Sequence, residues 1–395
     1  SPSKEPINLL IPPTIIRHCP PAADQVSPPG VSAIVISPPD WERREVMSRV
    51  VQFISSSGER RVGVVRDDQV LDLTAAHGWQ TTRQLFQAAV DRSVSLASLV
   101  AEASSDPACG TIAYDLLWNG TAGSGDGHLL APLDHPEPHR IYMTGTGLTH
   151  TGSMQSRDQM HSDEGNTAQE EPATDSARMF AMGLEGGKPE AGKRGTSPEW
   201  FYKGNGANLR GHRQSLDLPA FALDGGEEPE IVGCYVIDEQ GIPRRLGFSL
   251  GNEWSDHANE KINYLYLAPS KIRSCSVGPE LVLDCDFQEI TLECHVERDG
   301  ESIYESGSLK SGEQFMCHSL ANCEDHHFKY PLHRQPGDVH FHFFGTSKLS
   351  YSSRQWRYQP GDTITISAAD FSRPLVNTVT AGDPCEGHPI EVIPA

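Results

Sequence analysis

From Met47 onward, short apolar runs alternate with polar turns. Val50-Val51-Gln52-Phe53-Ile54 is apolar, Ser55 to Glu59 is turn-like, and Arg61-Val62-Gly63-Val64-Val65 restores the apolar pattern. Asp67-Asp68 then leads into Val70-Leu71-Asp72-Leu73. Three short strands joined by polar turns predict an antiparallel meander. Between Thr82 and Ala103 the apolar positions fall at helical spacing, which predicts one or two helices. Further strands are predicted over Arg140 to Thr144, Ile231 to Ile237, Arg245 to Leu250, Gln288 to Glu297, His340 to Phe344 and Thr363 to Ser367. Pro336-Gly337-Asp338 and Pro360-Gly361-Asp362 are the turns that enter the last two. The pattern is that of an α+β, strand-rich chain. A small N-terminal α+β domain is expected over 47–133, ending in the linking run Leu129 to Leu133, and a larger domain over 134–395.

Two stretches depart from this pattern. In residues 1–46, Pro-Pro pairs recur at Pro12-Pro13, Pro20-Pro21, Pro28-Pro29 and Pro38-Pro39. Proline fixes φ and lacks the backbone donor, so this stretch reads as an extended or poorly ordered extension. Residues 151–197 are polar, with Met154, Met160, Met179 and Met182 among acids and glycines. That is too long for an ordinary connection and predicts a lid-like insertion with a functional role.

Charge narrows the partners. The chain has 395 residues, with Lys+Arg 32 against Asp+Glu 53 and a formal net charge of −21. So acidic a surface repels phosphate backbones and anionic lipid, which argues against nucleic acid and membrane partners and leaves a small molecule. No apolar run approaches the roughly 20 residues that span a bilayer. The nine cysteines are odd in number and scattered, and no clean signal peptide precedes them, so reduced thiols and a cytoplasmic location are expected.

Candidate chemistry begins at Glu227-Glu228-Pro229-Glu230, just ahead of the apolar run from Ile231. On a strand, positions two apart share a face, so Glu228 and Glu230 point the same way. Taken alone, Glu-x-Glu is commonly a solvated acidic turn. As a pair that must not repel, it suits a divalent cation with oxygen ligands, Mg²⁺ first, with Mn²⁺ or Ca²⁺ as alternatives. A second strand runs into Gly251-Asn252-Glu253-Trp254-Ser255-Asp256-His257, and Glu253 is placed to add a third carboxylate. Lys271 follows. Three rival motifs are weaker. Gly145-Thr146-Gly147-Leu148-Thr149-His150 nearly spells a dinucleotide fingerprint but lacks its third glycine and the βαβ context. His340-x-His342 puts two imidazoles on one strand face with no carboxylate soon after. Cys317, Cys323, His326 and His327 lack the paired spacing of a zinc site, and their region reads as a helix.

In order, Glu228-x-Glu230, then Gly247-Phe248-Ser249-Leu250-Gly251-Asn252-Glu253-Trp254-Ser255, Lys271 and Gly278-Pro279 resemble the fumarylacetoacetate hydrolase superfamily over roughly 47–380. Phe201-Tyr202-Lys203, the strand ending in His150, Gly345-Thr346, and the run from Gln359 through Asn377 agree with it. The resemblance implies a mixed β-roll core, a bound divalent ion and a homodimer. It assigns Glu228, Glu230 and Glu253 as metal ligands, Lys271 as the active-site lysine, and Thr346 and Lys203 as groups near the substrate's negative charge. The third ligand in that family is usually Asp, one methylene shorter than Glu253. Where members often carry a Glu three residues after the histidine, this chain has Ser153.

Closer similarity, carried by Thr146 to His150, Met182 to Pro189, Ala222 to Glu230 and His326 to Tyr330, is to its sugar-acid branch. This implies a lyase that dehydrates a 2-keto-3-deoxy sugar acid of arabonate type through a metal-stabilised enolate. The alternative is a hydrolase that cleaves a C–C bond of a 2,4-diketo acid. His150 is the first candidate for acid or base, Lys271 stabilises negative charge, and Glu185, or Glu164, Glu170 or Glu171, is the candidate for the missing acid–base carboxylate.

Overall fold

The computed structural model describes residues 47–153 and 174–395. The proline-rich extension, and Glu164, Glu170 and Glu171 within the expected insertion, lie outside the described residues. The described residues form two mixed sheets, one of twelve strands and one of six. The predicted meander forms Arg49–Ile54, Arg60–Arg66 and Gln69–Asp72, each antiparallel to the next. It continues the large sheet, since Arg49 and Val50 pair with Val282 and Leu281. The helical spacing resolves into two helices, Thr82–Asp91 and Leu96–Ala103. Thr81 and Gln84 close a reciprocal capping box on the first, and Ser95 caps the second.

The centre of the large sheet runs Cys275–Val282, Pro243–Asn252, Pro229–Ile237, Val339–Phe343, Ile141–Gly147 and Glu199–Asn205. All pairs along this path are antiparallel except Val339–Phe343 with Ile141–Gly147, which is parallel. One face packs Val232, Val236, Phe341 and Phe343 against Leu85, Leu99 and Val100 of the two helices. The other packs Ile231, Phe248, Leu250 and Phe344 against Leu292, Ile364 and Ile366 of the second sheet. The helix Leu320–Phe328 adds Cys323 to that second core. Because both faces are covered, the central strands are apolar nearly throughout: every residue of Pro229–Ile237 is buried. Polar groups here therefore need a partner or a ligand.

The described part of the insertion holds a helix, Asp175–Gly186, capped by Thr174. Its Gly183 lies so close to Cys317 and His318 that an added Cβ would stand 2.8 Å from both side chains. No helix among the described residues is long and apolar enough to cross a membrane. No disulfide joins the cysteines of the described residues.

Candidate active site

Several strand ends of the large sheet converge on one buried polar spot. Glu230 opens the Pro229–Ile237 strand, and Glu253 follows the end of Pro243–Asn252. The two strands run side by side with Glu230 opposite Gly251, and the Glu253 backbone N–H donates to the Glu228 carbonyl at 3.0 Å. That pairing brings the three carboxylates together: one oxygen from each of Glu228, Glu230 and Glu253 lies within 4.8 Å of the others. None of the three residues is more than 5% exposed.

Two lysines reach into this cluster. Lys271 donates to Glu228 Oε1 at 2.5 Å and to Glu253 Oε1 at 2.9 Å, with its ammonium 4.6 Å from the centre of the Phe201 ring. Lys203 donates to the Trp254 carbonyl at 2.5 Å and lies 3.7 Å from Glu253 Oε1. His257 meets Glu228 Oε1 from another side at 2.9 Å. Burial opposes ionisation of Glu228, but Lys271 and His257 outweigh it and hold its carboxyl below the usual range. Glu230 has no such pair of partners. Burial first, then the charges of Glu253 and Glu228, push its carboxyl well above the usual range, and burial with Glu228 pushes Glu253 the same way.

The fit to a divalent cation can be read from what remains unsatisfied. Glu230 Oε1 and Glu253 Oε2 are buried and have no hydrogen-bond partner among the described residues. Buried carboxylate oxygens rarely go without one. Three converging acidic side chains, two of them with an unpaired oxygen, form a donor set suited to a hard cation such as Mg²⁺. Glycines make room beside it. A Cβ on Gly145 would collide with the Phe201 ring and stand 3.2 Å from Glu253 Oε2, and one on Gly147 would collide with Glu199. Gly145 and Gly147 thus lie inside the Ile141–Gly147 strand and serve close packing at the site, where a dinucleotide loop would need them in a strand-to-helix turn.

A loop closes the opposite side. Gly345 N–H donates to Glu230 Oε2 at 2.7 Å, with Gly345 at φ +95°, in the left-handed region glycine accepts. Thr346 is buried next to it, its hydroxyl donating to the Lys348 carbonyl at 3.0 Å. Glu227, neighbour of Glu228, is taken up by this loop: it accepts from Ser350 N–H and Oγ and from the Tyr358 hydroxyl, at 2.6–2.7 Å. His150 is buried at the mouth of the same loop. Its Nδ1 lies 2.8 Å from Thr149 Oγ1, and its Nε2 is buried without a partner among the described residues. Burial lowers its pKa to about 4.

The structure thus gathers Glu228, Glu230, Glu253, Lys271 and Lys203 into one cluster and places Thr346 and His150 on the adjoining loops. Glu185 stands apart: it is exposed on the helix Asp175–Gly186, and no hydrogen bond or ion pair among the described residues ties it to the cluster. Sequence reasoning missed His257, which holds Glu228, and Glu199, buried against Gly147 and accepting from the Tyr264 hydroxyl at 2.9 Å. His257 was visible four residues after Glu253, but nothing in the spacing says that it reaches back to a residue 29 positions earlier.

The pair of mixed sheets is the fold of solved structures of the fumarylacetoacetate hydrolase type, the fold that the sequence resemblance implied. No protein-family model matches the chain. The chain is 27% identical over 337 residues to a probable 2-keto-3-deoxyxylonate dehydratase of Haloferax volcanii, covering 83% of this chain and 98% of that one. Its fold matches a 2-keto-3-deoxy-D-arabinonate dehydratase solved with magnesium and 2,5-dioxopentanoate, with a TM-score of 0.56 at 16% identity, over 84% of this chain and 99% of that one. It also matches a fumarylacetoacetate hydrolase from Exiguobacterium antarcticum, with a TM-score of 0.52 at 16% identity, over 85% and 99%.

Proposed function

We propose that this enzyme dehydrates a 2-keto-3-deoxy sugar acid and needs a divalent metal, Mg²⁺ first, to do so. The observation that carries the reading is the buried triad of Glu228, Glu230 and Glu253, with two orphaned carboxylate oxygens beside two buried lysines. The relatives named above support the substrate class. Glu228, Glu230 and Glu253 would hold the ion. When bound, it supplies Lewis acidity at the substrate's C2 carbonyl, which makes the C3–H bond acidic.

The chain's own residues do the rest. Lys271 and Lys203 offset the negative charge of the substrate's carboxylate and reacting oxygen in a protein that is otherwise strongly acidic. Thr346 lines the approach from the Gly345 loop. His150 takes the C3 proton at Nε2. The electron pair of that bond moves toward C2 and then forms the C3=C4 bond as the C4 hydroxyl departs as water with the proton held on His150; a hydrogen then moves from C5 to C3, and the resulting C4=C5 enol tautomerises to the semialdehyde. Burial around the site keeps bulk water away from the developing charge.

The test is to incubate purified protein and Mg²⁺ with a 2-keto-3-deoxy pentonic acid and, separately, with a 2,4-diketo acid. The semialdehyde is expected from the first. Turnover of the diketo acid alone, with release of pyruvate, would assign a C–C hydrolase instead. Size-exclusion chromatography with light scattering is expected to show a homodimer.

A further inference from the structure

One hydroxyl decides which nitrogen of His150 is free. Thr149 Oγ1 lies 2.8 Å from the Phe344 carbonyl oxygen and 2.8 Å from His150 Nδ1. A carbonyl can only accept, so the single hydroxyl hydrogen of Thr149 goes to Phe344. Toward His150 the same oxygen has only a lone pair to offer, and His150 Nδ1 must therefore carry the proton. Nε2 is then the unprotonated nitrogen, and it is the atom that lies buried without a partner among the described residues.

The relay continues past Phe344. The carbonyl that accepts from Thr149 belongs to the peptide group whose N–H, on Gly345, donates to Glu230 Oε2. A peptide group whose N–H donates a hydrogen bond is polarised into a better acceptor at its oxygen. The left-handed φ at Gly345 makes this possible, and a Cβ there would collide with Thr149 Oγ1. The geometry points to a positioning relay from Glu230 through the Phe344–Gly345 peptide and Thr149 to His150, which fixes the imidazole in the Nδ1–H form with Nε2 presented as the base. Thr149 so fills the orienting role for which Ser153 has no carboxylate. That His150 is the base rests on the function proposed above; its tautomer does not.

The test reads both, separately. Protein carrying ring-¹⁵N histidine, without metal or substrate, is examined by two-bond ¹H–¹⁵N NMR, with the His150 pattern identified by its loss in His150→Gln. The expected pattern is that of the Nδ1–H tautomer. Thr149→Val removes the hydroxyl at nearly constant volume and is expected to replace it with the Nε2–H or an exchanging pattern. The same change should lower kcat by roughly 100-fold, the lower end of what a positioned proton-transfer group contributes, with KM nearly unchanged. Thr149→Ser, which keeps the hydroxyl, is expected to restore both tautomer and kcat. An Nε2–H pattern in the wild-type protein overturns the relay, and so does a Thr149→Val spectrum identical to wild type. If Thr149→Val does not fold, the wild-type tautomer still decides. Should the Nδ1–H form be found while no keto acid turns over, the relay stands and the proposed function falls.

Discussion

The Pro229–Ile237 strand and its neighbour Val339–Phe343 carry two buried polar clusters, and the two are opposite in kind. On the face of Glu230 lies the acidic cluster, where two carboxylate oxygens have no partner among the described residues. On the other face, where Tyr235 and Gly233 pair with His340 and His342, lies a knot of imidazoles. There His342 is held at both nitrogens, by Thr144 Oγ1 at 2.8 Å and Thr146 Oγ1 at 2.5 Å. His327 bridges Trp200 Nε1 at 3.2 Å and His340 Nδ1 at 3.0 Å. Both clusters read as metal sites from residue type. What separates them is bookkeeping of lone pairs: the carboxylates keep unpaired oxygens within reach of one another, while His342 and His327 spend both nitrogens on threonine, tryptophan and His340, and His340 Nε2 alone is left over among the described residues. Among the described residues, only the acidic triad brings three ligand atoms together.

The largest effect should come from the acidic side. Glu230→Gln removes the one ligand whose charge no lysine or histidine directly offsets. Mg²⁺ binding, followed by calorimetry, is expected to vanish, and turnover to fall by more than the roughly 100-fold that losing an outer partner of a metal ligand costs. Retained Mg²⁺ affinity in this variant would move the metal elsewhere and end the comparison.

His257→Gln tests the outer layer of the same cluster. His257 donates from Nε2 to Glu228 Oε1 while Lys271 takes the same oxygen, so its loss leaves Glu228 in place but less firmly oriented. Mg²⁺ affinity should weaken by about 10–100-fold with the fold intact by circular dichroism. An unchanged affinity would mean that Lys271 alone orients Glu228.

The sequence made the acidic side readable and the histidine side misleading for one physical reason. Glu228, Glu230 and Glu253 sit on adjoining strand ends separated by a hairpin, so period-two alternation and one turn suffice to bring them together. The strands Ile231 to Ile237 and Arg245 to Leu250 were legible because burial on both faces makes them continuous apolar runs. The partners of His342 are almost 200 residues away, on a strand that joins by parallel pairing, and no local pattern records them. The strand Glu199–Asn205 was read only as a short motif, because it alternates buried Phe201 and Lys203 with half-exposed Trp200 and Tyr202. A lysine on the buried side hides the period. The Thr149 relay was likewise out of reach, since it runs through a peptide group nearly two hundred residues downstream.

The two clusters should also answer pH with opposite sign. Burial first, and neighbouring imidazoles second, hold His340 at about 3, and push His327 down as well; His342 is held at about 3 by burial with a contribution from His333. Unfolded histidine takes up a proton near 6.5. Stability from this cluster is therefore complete above about pH 6.5 and is lost as pH falls toward about 3. In the metal-free cluster Glu230 and Glu253 have raised pKa values, so their contribution is present at low pH and is lost as pH rises through their folded values. Melting curves should fall by on the order of 10 °C between pH 7 and pH 4.5. The rise in Tm on adding Mg²⁺ should be larger at pH 7.5 than at pH 5, because ligands must lose their protons to bind. A Mg²⁺ effect independent of pH would contradict the assignment of these carboxylates.

The smallest expected effect on metal is the one that sharpens the contrast most. His342→Gln leaves Thr144 and Thr146 with an amide that cannot span both hydroxyls as the flat ring does, so one buried hydroxyl loses its better partner. That should lower stability by roughly 1–3 kcal/mol, the usual penalty for a buried polar group left unmade. Mg²⁺ affinity should not change, because His342 faces away from Glu230 across the thickness of the sheet. Phe343 and Phe341, next to it on the strand, point to the opposite core and should keep the strand in register. A variant that lost Mg²⁺ along with stability would show that the two faces communicate through the Pro229–Ile237 strand, and the acidic cluster could no longer be treated as a site complete on its own side.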